Sequence, residues 1–139
     1  MRKNLMLIAV CVVLGLMISP LAFGDSHMLK IGFNIPLTGD NPDVGASSKN
    51  GAEMYLKKNP SIEVGGKKYQ LKFIYEDNEY KAESAVKANT KLITDEGVLA
   101  IVGPQSSSQA VPAGEIANNL ATPMISRVLS SAMDQCHDS

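Results

Sequence analysis

A chain of 139 residues that is 45% hydrophobic, with three Phe and no Trp, suits one domain of ordinary size built on an aliphatic core. Thirteen Lys and Arg against fourteen Asp and Glu leave a net charge of −1, so there is no basic field for phosphates or an acidic membrane surface, and nucleic acid is not an expected partner. Cys11 lies in the apolar N-terminal run and Cys136 near the end, so no disulfide framework follows from the cysteines.

Arg2 and Lys3 precede an apolar stretch from Leu5 to Ile18, and Pro20 interrupts it. Ala22-Phe23-Gly24 then places small residues at the minus-three and minus-one positions of a cut before Asp25. This is the three-part layout of a secretory signal over residues 1–24. The run falls short of the roughly 20 apolar residues that span a bilayer, which makes an uncleaved anchor the competing reading. Cys11 lies too early to be the acylated residue of a lipoprotein.

From Leu29 to Ile35 apolar residues occupy alternate positions, and Pro36-Leu37-Thr38-Gly39 follows, which predicts a strand running into a loop. Between Gly45 and Asn59 the spacing of Ala52, Tyr55 and Leu56 predicts a helix, with Lys57 and Lys58 at its negative end and Pro60 as its stop. Val64-Gly65-Gly66-Lys67 reads as a turn, and Tyr69, Leu71, Phe73 and Tyr75 alternate with polar residues in a half-exposed strand at or near a sheet edge. Ala82, Ala85, Val86, Asn89, Leu92 and Ile93 lay one stripe along a second helix that Gly97 ends. Val98 to Val102 is apolar without alternation, as expected of a central strand covered on both faces. A third helix follows Gly103-Pro104-Gln105-Ser106-Ser107-Ser108, with Ala110, Ala113, Ile116, Ala117 and Leu120 inward and Pro112 tolerable only in its first turn. Pro123 to Ser126 reads as a short fourth strand. Strand and helix thus alternate, which predicts a doubly wound parallel sheet with right-handed crossovers and a ligand site beyond the C-terminal strand ends.

Ser106, Ser107 and Ser108 lie where a strand turns into a helix, so hydroxyls and free N–H groups there can hold a carboxylate; plain N-capping would need only one of the three. Asp77 follows the second strand where a dinucleotide fold places its ribose acid, yet no G-x-G-x-x-G and no P-loop lysine motif is present, so Asp77, Asn78 and Glu79 read as a solvated turn. No G-x-S-x-G elbow surrounds Ser106, and neither His27 nor His137 is placed to act as a base or metal ligand, so no catalytic constellation is expected.

Lys30-Ile31-Gly32 with Pro36-Leu37-Thr38-Gly39, Gly51-Ala52-Glu53, Tyr75-Glu76-Asp77, Val102-Gly103-Pro104 with the serines, and Pro123-Met124-Ile125-Ser126 stand in an order that resembles the leucine/isoleucine/valine-binding protein family of periplasmic solute receptors. The resemblance implies a two-lobed α/β fold in which a hinge closes on an amino acid that an ABC-type permease then receives, with no cofactor and no bound metal. Residues 25–126 would form part of the N-terminal lobe, and residues 127–139 an atypical tail. By the same resemblance Ser107 supplies a hydroxyl and a helix-terminal N–H to the ligand carboxylate, with Ser106 beside it. Val128 falls where a backbone carbonyl meets the ammonium, and Ser130 where a threonine hydroxyl meets the carboxylate.

Two departures bear on the site. Val44 stands where branched-chain-specific members carry a ligand-contacting tyrosine, and Glu79 and Ser106 stand where some members have a disulfide. From Arg127 onward the sequence leaves the family's proline and small-residue pattern. The alternatives are a sensory ligand-binding module, since the same lobes serve signalling receptors, and a small periplasmic enzyme on a flavodoxin-like sheet. The N-terminal layout predicts export with cleavage before Asp25, so mass spectrometry of the exported product should find Asp25 first. A membrane-bound form that keeps Met1 would support the anchor instead.

Overall fold

Strand β1 (Met28–Ile35) opens the described part of the molecule, a computed structural model that describes residues 27–127. It is followed by helix α1 (Pro42–Lys58), strands β2 (Ser61–Val64) and β3 (Lys67–Asp77), helix α2 (Ala82–Thr94), strand β4 (Ala100–Val102), helix α3 (Ser107–Asn119) and strand β5 (Met124–Ile125). The signal segment, Val128 and Ser130 lie outside the described residues.

The five strands form one sheet in the order β2-β3-β1-β4-β5. β1 runs parallel to both β3 and β4, and β4 runs parallel to β5. β2 pairs antiparallel with β3 through the Gly65-Gly66 turn, so the sheet is mixed where the sequence predicts it wholly parallel. Ser61–Val64 is too short and too weakly patterned to announce itself beside Pro60 and the glycines. β3 is accordingly one strand in from the edge.

The middle strand is β1, not the Val98–Val102 segment. Within that segment Val98 and Ile101 are buried while Leu99 and Val102 are 57% and 36% exposed, so it is not covered on both faces. The register explains this, because Gly32, Ile74, Ile101 and Met124 share one face of the sheet, and Phe33, Tyr75, Val102 and Ile125 share the other. On the first face Leu92 and Val98 pack with Ile101, Ile74 and Met124 beneath α2. Full burial of a side chain such as Leu92 or Ile101 contributes about 1.5–3 kcal/mol. On the second face α1 packs against β1 and β3. There Phe33 lies 5.0 Å from Phe73 and 5.1 Å from Tyr75, ring centre to ring centre. Tyr75 donates its hydroxyl to Glu53 Oε1 at 2.8 Å, and burial followed by that bond raises its pKa well above the ordinary phenol value.

The helices follow the predicted stripes with local corrections. α1 begins at Pro42, before the predicted Gly45, because proline is well suited to a first turn. It ends at Lys58, ahead of Pro60. α2 buries Ala85, Ala88, Asn89 and Leu92, close to the predicted face. In α3 Leu120 is 42% exposed and not inward, since the chain turns away there toward β5, and Pro112 lies in the second turn and not the first.

Asp77 and Asn78 are not a solvated turn. Asn78 is fully buried, and the Asp77 carboxylate accepts hydrogen bonds from Leu37 N at 2.8 Å, Thr38 N at 3.2 Å, Glu79 N at 2.9 Å and the Thr38 hydroxyl. Burial pushes this carboxyl up, but the Thr38 hydroxyl and the N–H groups of Glu79, Leu37 and Thr38 outweigh it and hold the pKa below its ordinary value. A depressed folded pKa stabilises above the unfolded value of about 3.9 and is lost as pH falls through the folded pKa. Asp77→Asn should therefore cost about 1–3 kcal/mol at pH 7. In urea melts the gap to the wild type should narrow below about pH 4; an equal gap at pH 7 and pH 3 would show that ionisation of Asp77 is immaterial.

Candidate functional site

The C-terminal ends of β1 and β4 lie side by side, and the loops leaving them approach closely. A Cβ on Gly45 would meet Pro36 O at 1.7 Å, and one on Gly103 would meet Asn34 O at 2.1 Å. Gly103 also has φ +102°, which an L side chain disfavours. Only glycine lets α1 and the β4–α3 loop come this close to β1. The Gly103–Pro104 peptide is cis, and Ser126 donates its hydroxyl to Pro104 O at 2.5 Å.

Beneath these loops three fully buried asparagines from different elements form one hydrogen-bonded chain. Asn78 Nδ2 donates to Asn34 Oδ1, Asn34 Nδ2 donates to Asn89 Oδ1 and to Ala85 O, and Asn89 Nδ2 donates to Ala113 O, each at 2.8 Å. Tyr80 N donates to Asn78 Oδ1 at 3.0 Å. The chain joins β1, the β3–α2 loop, α2 and α3, and so ties the body of α3 to the middle strand.

α3 starts at Ser107, with Ser106 as its extended N-cap residue at φ −120°, ψ 143°. Ser106 O accepts from Gln109 N at 3.1 Å and Ala110 N at 2.8 Å, but no side chain caps the helix. That leaves the N–H groups of Ser107 and Ser108 without an acceptor inside the helix. The Ser106 and Ser108 hydroxyls lie 3.0 Å apart and bond each other. The serine run therefore does not serve as a capping device.

Between α1 and the second face of the sheet lies an open cleft of about 960 Å³. Its floor includes Phe33, Phe73, Val102 and Ile125, and its rim includes Val44 and Gln105. Gln105 Nε2 donates to Ser48 Oγ at 2.5 Å, and Ser48 Oγ donates to Val44 O at 2.9 Å, which ties the β4–α3 loop to the first turns of α1. Of the residues singled out in the sequence, Val44 lines the cleft, while Ser106 and Ser107 follow Gln105 just outside the lining. Ser48, Gln105 and Arg127 line it too, and the sequence singled out none of them as a site residue, because a single polar residue in a helix or loop carries no pattern of its own. Among the described residues no three His, Cys, Asp or Glu side chains converge to hold a metal ion, and no helix is long and apolar enough to cross a membrane.

Glycine-tightened loops and a helix without a side-chain cap thus meet at the C-terminal ends of the parallel strands β1 and β4. A family model described as periplasmic binding protein matches residues 28–139, and the chain belongs to that family. A comparison with curated proteins finds no match. Among solved structures the chain is similar to the branched-chain amino-acid transporter substrate-binding protein LivJ of Streptococcus pneumoniae in complex with isoleucine, at 26% identity and TM-score 0.68 over 80% of this chain and 32% of that one. A possible leucine/isoleucine/valine-binding protein of Rhodopirellula baltica is 25% identical with TM-score 0.65, over 80% of this chain and 30% of that one. A leucine-binding protein of Thermotoga maritima shares the fold at 23% identity and TM-score 0.68, over 78% of this chain and 30% of that one. The chain thus spans about a third of the length of these structures.

Ile125 is 73% exposed on the cleft floor, at the edge of the sheet. Such an apolar edge favours association. The folded chain should bind a hydrophobic dye and associate as its concentration rises, and Ile125→Lys should reduce both by fluorescence and size exclusion. An unchanged dye signal would mean that the floor is inaccessible.

Proposed function

We propose that this chain provides the first ligand-binding lobe of an exported solute receptor, which holds the carboxylate of an amino acid or similar small solute for delivery to an ABC-type permease. The observation that carries this reading is the N-terminus of α3, uncapped by any side chain and opening with three serines at the end of β4. Free N–H groups, the positive end of the helix dipole and hydroxyl donors together suit a carboxylate. Membership of the periplasmic binding protein family and the likeness to the isoleucine complex of LivJ support the same ligand chemistry. Within this reading Ser107 is the principal contact, and Ser106 and Val44 flank it. Val128 and Ser130 would add the carbonyl and hydroxyl implied by the family resemblance. The receptor is a binder and not an enzyme, matured by cleavage before Asp25, with residues 25–126 as part of the N-terminal lobe and residues 127–139 as an atypical tail. Val44 in place of tyrosine leaves the solute side chain unassigned to the branched-chain class.

One lobe offers a carboxylate site open to water, where an ammonium gains little. Isothermal titration of the mature chain with an amino-acid panel should therefore show no saturable micromolar binding, and a clear micromolar isotherm with a raised melting temperature would show that one lobe suffices. Amide chemical shifts should reveal millimolar binding confined to the Ser106–Ser108 turn. Ser107→Ala should abolish most of that response, consistent with the roughly 1.5–3 kcal/mol of a hydrogen bond to a charged group. Ser108→Ala should retain most of it. Equal losses at both positions would mean that the serines act through helix stability alone.

A further inference from the structure

The two faces of the sheet are covered unequally. On the first face α2 and α3 lie over Ile74, Ile101 and Met124, whereas among the described residues the second face carries α1 alone, set over β1 and β3. Parallel strands are ordinarily covered on both faces, because the helices that join them supply a layer to each side. Here a strip over β4 and β5 is left open, and Val102 and Ile125 project into it. α1 is itself thinly packed, since only Gly45 of its seventeen residues is buried, and a helix draws most of its stability from the face it packs. The side of α1 that borders the strip carries Val44, Ser47, Ser48, Gly51 and Tyr55, at i, i+3, i+4, i+7 and i+11, and both Val44 and Tyr55 are exposed. A Cβ on Gly51 would meet nothing within 4 Å, so the lobe's own packing does not require glycine there, although glycine weakens a helix interior. Large residues at the two ends with small ones between them leave room for a second helix axis at close range. The charges are ordered along the same strip. Asp43 and Arg127 line it where α1 begins, and Lys57 and Lys58 stand where α1 stops.

We propose that the strip over β4 and β5 is a docking site for one amphipathic helix of another polypeptide, about four turns long and laid antiparallel to α1. Its apolar stripe rests on Val102 and Ile125 and against Val44 and Tyr55, with Ser48 and Gly51 at the closest approach. In this direction the partner's first turn lies beside Lys57 and Lys58, which favour Asp and Glu there, and its last turn lies beside Asp43, which favours Lys or Arg. Arg127 stands near its last carbonyls, where a cation is stabilising. The reverse direction sets an acidic first turn against Asp43 and a basic last turn against Lys57 and Lys58, so the charges select one orientation. This site is separate from the serine turn and requires no solute.

The test uses the mature chain and two fluorescein-labelled synthetic peptides of about sixteen residues, each with a leucine stripe on one face and each held helical by a staple on the other. The first carries Glu in its first turn and Lys in its last; the second has the two exchanged. Fluorescence anisotropy should show saturable binding of the first peptide and about tenfold weaker binding of the second, with the difference shrinking at high salt. Lys57→Gln with Lys58→Gln should narrow that difference. Gly51→Leu, at a position with no neighbour in the lobe, should keep the circular dichroism of the wild type and weaken the first peptide by about tenfold or more. Ile125→Lys should weaken it likewise. The first peptide should also displace a bound hydrophobic dye and suppress self-association of the chain. Equal affinity for the two peptides would overturn the proposal, as would Gly51→Leu binding like the wild type or the absence of saturable binding. Self-association that the first peptide fails to displace would give the strip to a second copy and overturn it as well.

Discussion

Asn34 occupies the middle strand with no exposed surface, and a polar side chain there is tolerable only because its amide is paired on both atoms. Its partners lie on the β3–α2 loop and on α2, and through Asn89 the chain of amides continues to α3. Its backbone oxygen is the atom that Gly103 approaches, so the loop leading to α3 passes directly over it. The C-terminal strand ends are thus organised around one residue, and their geometry is specified by hydrogen bonds whose loss would leave buried groups unpaired.

The second organising fact is topological. The connection from β1 to β3 moves one way across the sheet, and those from β3 to β4 and from β4 to β5 move the other way. Right-handed crossovers then place α1 on one face and α2 and α3 on the opposite face. The direction changes between β1 and β4, which is where an open α/β sheet offers its ligand crevice, and the Pro36 and Gly103 loops flank that point. The same asymmetry leaves Val102 and Ile125 exposed beside α1 while Ile101 and Met124 pack beneath α2, so the cleft and the core are two sides of one strand pairing.

Satisfied and unsatisfied polar groups are segregated in this lobe. The asparagines beneath the strand ends are fully paired, and the Asp77 carboxylate collects three backbone N–H groups and a hydroxyl. At the start of α3, by contrast, Gln105 Oε1 and both amide atoms of Gln109 have no partner, and the Ser106 and Ser108 hydroxyls bond each other.

Local sequence determined the alternation of strand and helix, the stripe on α2, the stop at Pro60 and the placing of three serines where a strand enters a helix, since each depends on periodicity or on the stereochemistry of a few neighbouring residues. The ordered motifs that resemble the solute-receptor family were equally legible, and the family assignment agrees with them. What the sequence could not decide was whether a polar residue is paired or an apolar one covered. Asn78 reads as a turn residue and becomes core only because Asn34, forty-four positions away, accepts its amide proton. Val102 reads as buried and is 36% exposed because it faces the cleft between the sheet and α1. Those outcomes rest on contacts between residues far apart in the chain, so only the tertiary structure could settle them.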